Sequence, residues 1–261
     1  MSRSPEHCIF CHLKVSKRPK EGEAKKTSEH VPPRGFFPRK LPSDVTSLVT
    51  VPACSDCNHE KGFNDDFLRE ALLLLAKPAS NMARDLYEGP HLSSLRKDRR
   101  KYEEWSARVV GTQTNPRTGE SIPVLKVEAA PIRKSLSDIA RGMLWHLEKR
   151  LVPVDTADKK DLNGNKLQFF QAHLPSQLFN VKFLLDAFPA NSVSGYVGHP
   201  EIFEYRLWRF SSDQNWMTWY FRFFGGANLF VTTREIIEQL FANPPSNDPR
   251  VAELLKDFIA F

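Results

Sequence analysis

A chain of 261 residues, 41% hydrophobic and 26% charged, has the composition of an ordinary globular protein with room for one large or two modest cores. It has no run near the roughly 18 uncharged apolar residues of a spanning helix, and residues 1–7 lack the apolar centre of a signal peptide. Membrane insertion is excluded on that basis and the cytoplasm is the expected address. The formal net charge is +6, and residues 1–40 alone hold ten Lys/Arg against four acids, which favours a polyanionic partner.

In chain order the first signal is Cys8-Ile9-Phe10-Cys11, answered by Cys54-Ser55-Asp56-Cys57; the chain has no other cysteine. Two C-x2-C pairs supply a tetrahedral zinc site, each pair offering two thiolates at the right bite. Four thiolates leave no open position, so the zinc expected on Cys8, Cys11, Cys54 and Cys57 is structural. Disulfides and redox-active pairs are the alternatives. A reducing compartment opposes the first, and the absence of a thioredoxin-like strand-helix pattern opposes the second. His7 and His12 flank the first pair and are spare ligands at most.

The 42 residues between the pairs exceed a ribbon loop. They carry Ser28-Glu29-His30-Val31-Pro32-Pro33, then Phe36-Phe37-Pro38, then the strand-like Leu48 to Ala53; Asn58-His59-Glu60-Lys61-Gly62 follows the second pair. Over residues 6–70 this order resembles the HNH (ββα-metal) endonuclease family, in its four-cysteine, zinc-stapled type. That family pairs an acid-His dipeptide on one strand with a C-x2-C segment opening a helix at His or Asn. The resemblance implies a metal-dependent DNA endonuclease working by a one-metal mechanism. His30 would be the general base; Glu29, on the opposite strand face, and Asn58, at the helix start, would bind the metal. Hard oxygen ligands favour Mg²⁺ or Mn²⁺ there, with His59 as a less favoured ligand. Hydrolysis would leave a 5′ phosphate, and one such site nicks one strand at a time. The loop 42–49 offers only Asp44 or Ser47 where the family often has an Asn that orients the His. Lys61 reads as a helix-surface lysine.

Farther on, Asn64 or Asp65 can cap a helix whose stripe is Phe67, Leu68, Ala71, Leu72 and Leu75, ended by Pro78. His91, after Gly89-Pro90, reads as a surface residue in a turn. A helix over Ser93–Ala107 carries the basic run Arg96–Lys101, which suits a solvated face as well as DNA. A hairpin is expected around Asn115–Gly119, and a helix over Ile132–Arg150. The polar stretch Asp155–Lys166 is the expected boundary. Alternating strands Phe203–Leu207 and Trp216–Phe224, broken at Gly225-Gly226, precede Leu229–Thr232 and helices over Arg234–Ala242 and Pro249–Ala260. Aromatics interleaved with Arg206, Arg209 and Arg222 suit a sheet core better than base stacking. His146, His173 and His199 have no ligand-like neighbours in sequence.

The fold class expected is therefore α+β: a ββα-metal module over residues 1–75, a helical and hairpin connection over 76–155, and an α+β accessory domain over 156–261. Similar modules followed by an α+β region resemble stand-alone bacterial nucleases, some in antiviral (phage) defence. That resemblance implies DNA and other defence proteins as partners. A catalytically silent, zinc-stapled DNA-binding or adaptor protein, and an RNA-cleaving nuclease, are the rival expectations.

Overall fold

The computed structural model describes residues 7–38, 48–114, 119, 121–126, 128–149, 167–171, 192–209 and 217–233. The expected boundary at Asp155–Lys166, His173, the orienting residues Asp44 and Ser47, and the two C-terminal helices lie outside them. The chain folds as mixed helices and sheets, α+β, with N-terminal strands leading into a helix and an antiparallel sheet at the C-terminal side.

Strand β1 (Val15–Ser16) runs parallel to β2 (Ala24–Val31), and β2 pairs antiparallel with β3 (Val49–Cys54), placing Glu29 opposite Val51 and His30 opposite Thr50. A 3-10 turn, Arg34–Phe36, follows β2. Strand β3 runs straight into α1 (Ser55–Ala76), with no loop between. The cap is a cysteine: Cys57 N–H donates to Cys54 Sγ at 3.3 Å. The helix thus begins ten residues before the expected Asn64/Asp65 cap. The interior Gly62 costs about 1 kcal/mol relative to Ala, less than the knuckle and the packed stripe beyond it supply. Asp65, freed from capping, is buried instead.

Helix α2 (Asn81–Leu86) continues through one π turn, Tyr87–His91, into α3 (Leu92–Lys97). The wider π spacing accommodates Pro90 without a break, so Gly89-Pro90 do not form the expected surface turn. His91 is consequently buried, its ring stacked on Tyr87 with centroids 5.0 Å apart. The helix expected over Ser93–Ala107 is two: Asp98 caps α4 (Arg99–Arg108) by accepting from Lys101 N–H at 3.1 Å. Two exposed i,i+4 pairs, Arg99–Glu103 and Arg100–Glu104, engage two of the five cations of the basic run. The hairpin β4 (Val109–Thr114) and β5 (Ser121–Leu125) follows as expected, then α5 (Ala129–Glu148).

The second sheet has order β6–β10–β9–β8–β7, all antiparallel: β6 (Leu167–Gln171), β7 (Ser192–Tyr196), β8 (Phe203–Arg209), β9 (Met217–Phe223) and β10 (Ala227–Thr233). Its aromatics Phe203, Tyr205, Trp208, Trp219, Tyr220, Phe221 and Phe223 are buried, whereas Tyr196 at the edge is exposed, and Arg222 and Arg209 pair with Glu204 and Glu148. The buried rings build a core and are not available to stack on bases. One apolar core joins both sheets through α1 and α5. Helix α5 passes so close to β2 that a Cβ on Gly142 would overlap the Val31 side chain. Among the described residues no helix is long and apolar enough to cross a membrane.

Candidate functional site

The four cysteines converge although 42 residues separate the pairs. Ile9 N–H donates to the Pro52 carbonyl at 3.1 Å, tying the first knuckle to β3, while the second knuckle is the first turn of α1. All four thiols are free, and their Sγ atoms lie within 4.8 Å of one another, Cys11 Sγ and Cys54 Sγ at 3.7 Å. Four sulfurs at about 2.3 Å around one ion sit roughly 3.8 Å apart, so the cluster fits one tetrahedral zinc. Burial pushes Cys11 up to about 11 and Cys57 higher still. A bound cation would reverse that, at the expense of released protons. The cluster is closed, which suits a structural role.

The residues singled out as catalytic lie on the hairpin and helix that this cluster staples. Thr27 and Glu29 share one face of β2, turned toward α1. Asn58 Nδ2 donates to Thr27 Oγ1 at 3.4 Å, and Thr27 Oγ1 donates to the Ala53 carbonyl at 3.2 Å. That relay employs the nitrogen of the Asn58 amide and orients its carbonyl oxygen. His59, one residue on and about 100° around the helix, is exposed.

Glu29 is only 9% exposed. Burial, opposed by the Lys61 ammonium and reinforced by the Asp65 and Asp138 carboxylates, pushes its carboxyl up to about 7. Lys61, expected on the helix surface, is 3% exposed. Its Nζ lies 3.3 Å from Asp65 Oδ2 and 5.1 Å from the Phe10 ring centre, so the first cysteine knuckle covers it. Ser135 Oγ on α5 donates to Asp65, and Asp138, fully buried, receives Lys134 Nζ at 2.6 Å and Arg141 Nη1 at 3.7 Å. Three carboxylates and three cations thus form a polar layer between hairpin, α1 and α5. The i,i+4 spacings Lys61/Asp65 and Lys134/Asp138 are its only trace in the sequence.

His30 occupies the other face of β2, half-buried, beside Arg34. Its Nδ1 is buried with no hydrogen-bond partner among the described residues. Burial, then the Arg34 cation, hold its pKa below 6.5 against a hydrogen bond with Val49 backbone. The imidazole is therefore neutral at pH 7 and able to accept a proton. Glu29 and Asn58 both lie on the α1 side of the hairpin, and His30 lies on the other. The remaining histidines stand apart: His146 is exposed, and His199 Nδ1 accepts from Glu201 N–H at 3.2 Å. Comparison with known proteins returned no match: no protein family, no curated protein and no solved structure.

Proposed function

We propose that the chain is a metal-dependent nuclease of the HNH kind that hydrolyses DNA phosphodiester bonds. The observation that carries this reading is the relay of Asn58 through Thr27 to β3. It sets the Asn58 amide against the β2 face that also carries the Glu29 carboxylate. Both are hard donors and suit Mg²⁺ or Mn²⁺, which supplies charge neutralisation at the phosphate and the leaving oxygen. His30, neutral and with an uncommitted ring nitrogen, takes the proton from the attacking water. The exposed Lys14, Lys17, Arg18, Lys20 and Lys25 beside β1 and β2 attract the strand. An antiviral role, with further defence proteins as partners, rests on the family resemblance alone. It fails if phage plating on cells carrying the gene and its neighbours matches a His30→Ala control.

A specific observation favours a second reading, a zinc-stapled DNA-binding or adaptor protein without catalysis. Glu29 is buried against Lys61 and faces away from His30. The two readings part in one experiment: supercoiled plasmid with purified protein, with Mg²⁺ or Mn²⁺ and without, beside His30→Ala. The nuclease reading expects metal-dependent open circles that His30→Ala abolishes. Intact plasmid under both metals overturns it in favour of the second, and cutting that His30→Ala retains removes His30 from the reaction. Competition between DNA and RNA substrates then fixes the polymer.

A further inference from the structure

A cavity of about 380 Å³ opens between the 3-10 turn after β2 and helices α1 to α4, within the size range of small-molecule sites. Its wall carries three cations, Arg34, Arg69 and Lys101, against a single carboxylate, Asp66. Asp66 reaches Arg69 Nη2 at 3.3 Å and Lys101 Nζ at 3.5 Å, but its side chain is 54% exposed, so water weakens that compensation. The surplus of positive charge therefore faces the cavity. Arg34 is fixed in place, its Nη1 donating to the Phe37 and Pro38 carbonyls at 3.2 and 3.0 Å.

Two further features mark the cavity as shaped for a guest. Gly35 lets Arg69 lie against the 3-10 turn, since a Cβ there would stand 3.1 Å from Arg69 Nη1, and the Gly35 carbonyl accepts from that nitrogen at 3.4 Å. His91, also in the wall and 6% exposed, holds its Nε2 4.0 Å from the buried Glu70 Oε1, whereas Arg69 Nε is buried with no hydrogen-bond partner among the described residues. Buried polar atoms normally find partners, so the Arg69 nitrogen leaves capacity for one. The His91 pKa is pushed down to about 4 by burial first, then by the Arg69, Arg108 and Lys101 cations over the opposing Asp66 charge, which agrees with a positive field. Behind the cations, Phe36, Leu73 and Leu86 give an apolar floor.

We infer that this cavity binds the phosphate of a nucleotide, with the cations gripping the phosphate oxygens and the apolar floor receiving the ring system. Arginine's planar fork matches phosphate oxygens, and a neutral imidazole N–H adds a donor. The nucleotide is either free or the phosphorylated end of a strand; the chemistry that recognises it is the same. Neither Glu29 nor Asn58 lines this cavity, and binding there needs no cleavage to be detected.

The test is calorimetric titration of the full zinc-loaded chain, without added divalent metal. The titrants are AMP, adenosine, and a DNA tetranucleotide with and without a 5′ phosphate. AMP should bind where adenosine does not, more weakly as salt rises. Lys101→Gln, Arg69→Gln and Gly35→Ala should each weaken it about tenfold, and His30→Ala should leave it unchanged. Preference for the phosphorylated tetranucleotide over AMP identifies a strand end as the guest, and the reverse identifies a free nucleotide. No saturable binding of either at millimolar concentration overturns the inference, as does equal binding of adenosine. Lys101 is exposed enough that Lys101→Gln folds, so indifference to that change also overturns it. Absence of plasmid cutting by the unaltered chain, with nucleotide binding intact, would refute the nuclease reading alone.

Discussion

The hairpin β2–β3 and the ribbon β8–β9 are the same antiparallel ladder supported from opposite materials. On β8–β9 the inward partners are Phe203 with Phe223, Tyr205 with Phe221 and Leu207 with Trp219, and neighbouring rings among them stand 5.0 to 6.1 Å apart. Each such side chain removes 150–250 Å² from water, and that apolar burial is sufficient support. On β2–β3 the face toward α1 sets Thr27 and Glu29 among the buried Val31, Val49, Val51 and Ala53, with Lys61 and Asp65 across the gap. A polar layer of that kind brings little net stability, because desolvation consumes most of the Coulomb attraction. The cysteine cluster makes up the difference by tying Cys8 and Cys11 to the end of β3 and the start of α1. Packing alone thus holds the ribbon, whereas the hairpin combines buried apolar residues with a polar layer and the neighbouring cysteine cluster.

Removing the cross-link should have the largest effect. Elemental analysis is expected to find one zinc per chain, and Cys57→Ser should lose it. Structural zinc sites are worth on the order of 10 kcal/mol in small fingers. Hydrogen exchange in β2, β3 and the first turns of α1 should then rise well before that of β9. A Cys57→Ser chain that keeps its metal and its protection pattern would break the comparison at its root.

Phe221→Ala examines the other side. The ring is fully buried between Phe203, Trp219 and Phe223, so about 3–5 kcal/mol of unfolding free energy should vanish. Zinc content should stay at one. Urea denaturation measures the first and elemental analysis the second; a coupled loss of metal would mean that the two regions do not hold themselves independently.

A smaller effect comes from pH. His91 titrates near 4 in the fold and near 6.5 unfolded, so between those values the unfolded chain binds more protons. Stability from this group is complete above about pH 6.5 and falls as pH drops toward 4, by about 2–3 kcal/mol. Denaturant titrations at pH 7.5 and 4.5 should show the fall, and His91→Gln should flatten it. An unaltered slope would assign the acid sensitivity elsewhere.

Much of this contrast was legible in the residues. Paired cysteines announce a staple at any separation, and the alternation from Phe203 to Leu207 with Gly225-Gly226 after the next strand announces the aromatic ribbon. The order Glu29-His30, then Cys54 to Cys57, then Asn58 located hairpin and helix correctly. The depth of Glu29 and Lys61 was not legible, because it is imposed by α5: Ser135 reaches Asp65 across 70 positions. His91 was misplaced for a related reason, since a π turn keeps two short helices continuous past a Gly-Pro pair that reads locally as a break. What the residues could not disclose in each case was which element packs above.

The finest probe of the comparison is Gly142→Ala, where α5 meets β2. In an exposed helix this change would stabilise by up to about 1 kcal/mol. Here the new methyl group overlaps Val31, the residue after His30, and overpacking of that kind costs about 1–3 kcal/mol. The steric effect should win, giving a net loss of about 1–2 kcal/mol in urea unfolding. Because β2 would shift rather than melt, zinc should remain bound and the β8–β9 ribbon should keep its exchange protection. If Gly142→Ala instead stabilises the chain, β2 yields to α5 freely. The polar layer around Glu29 is then held by the cysteine staple alone.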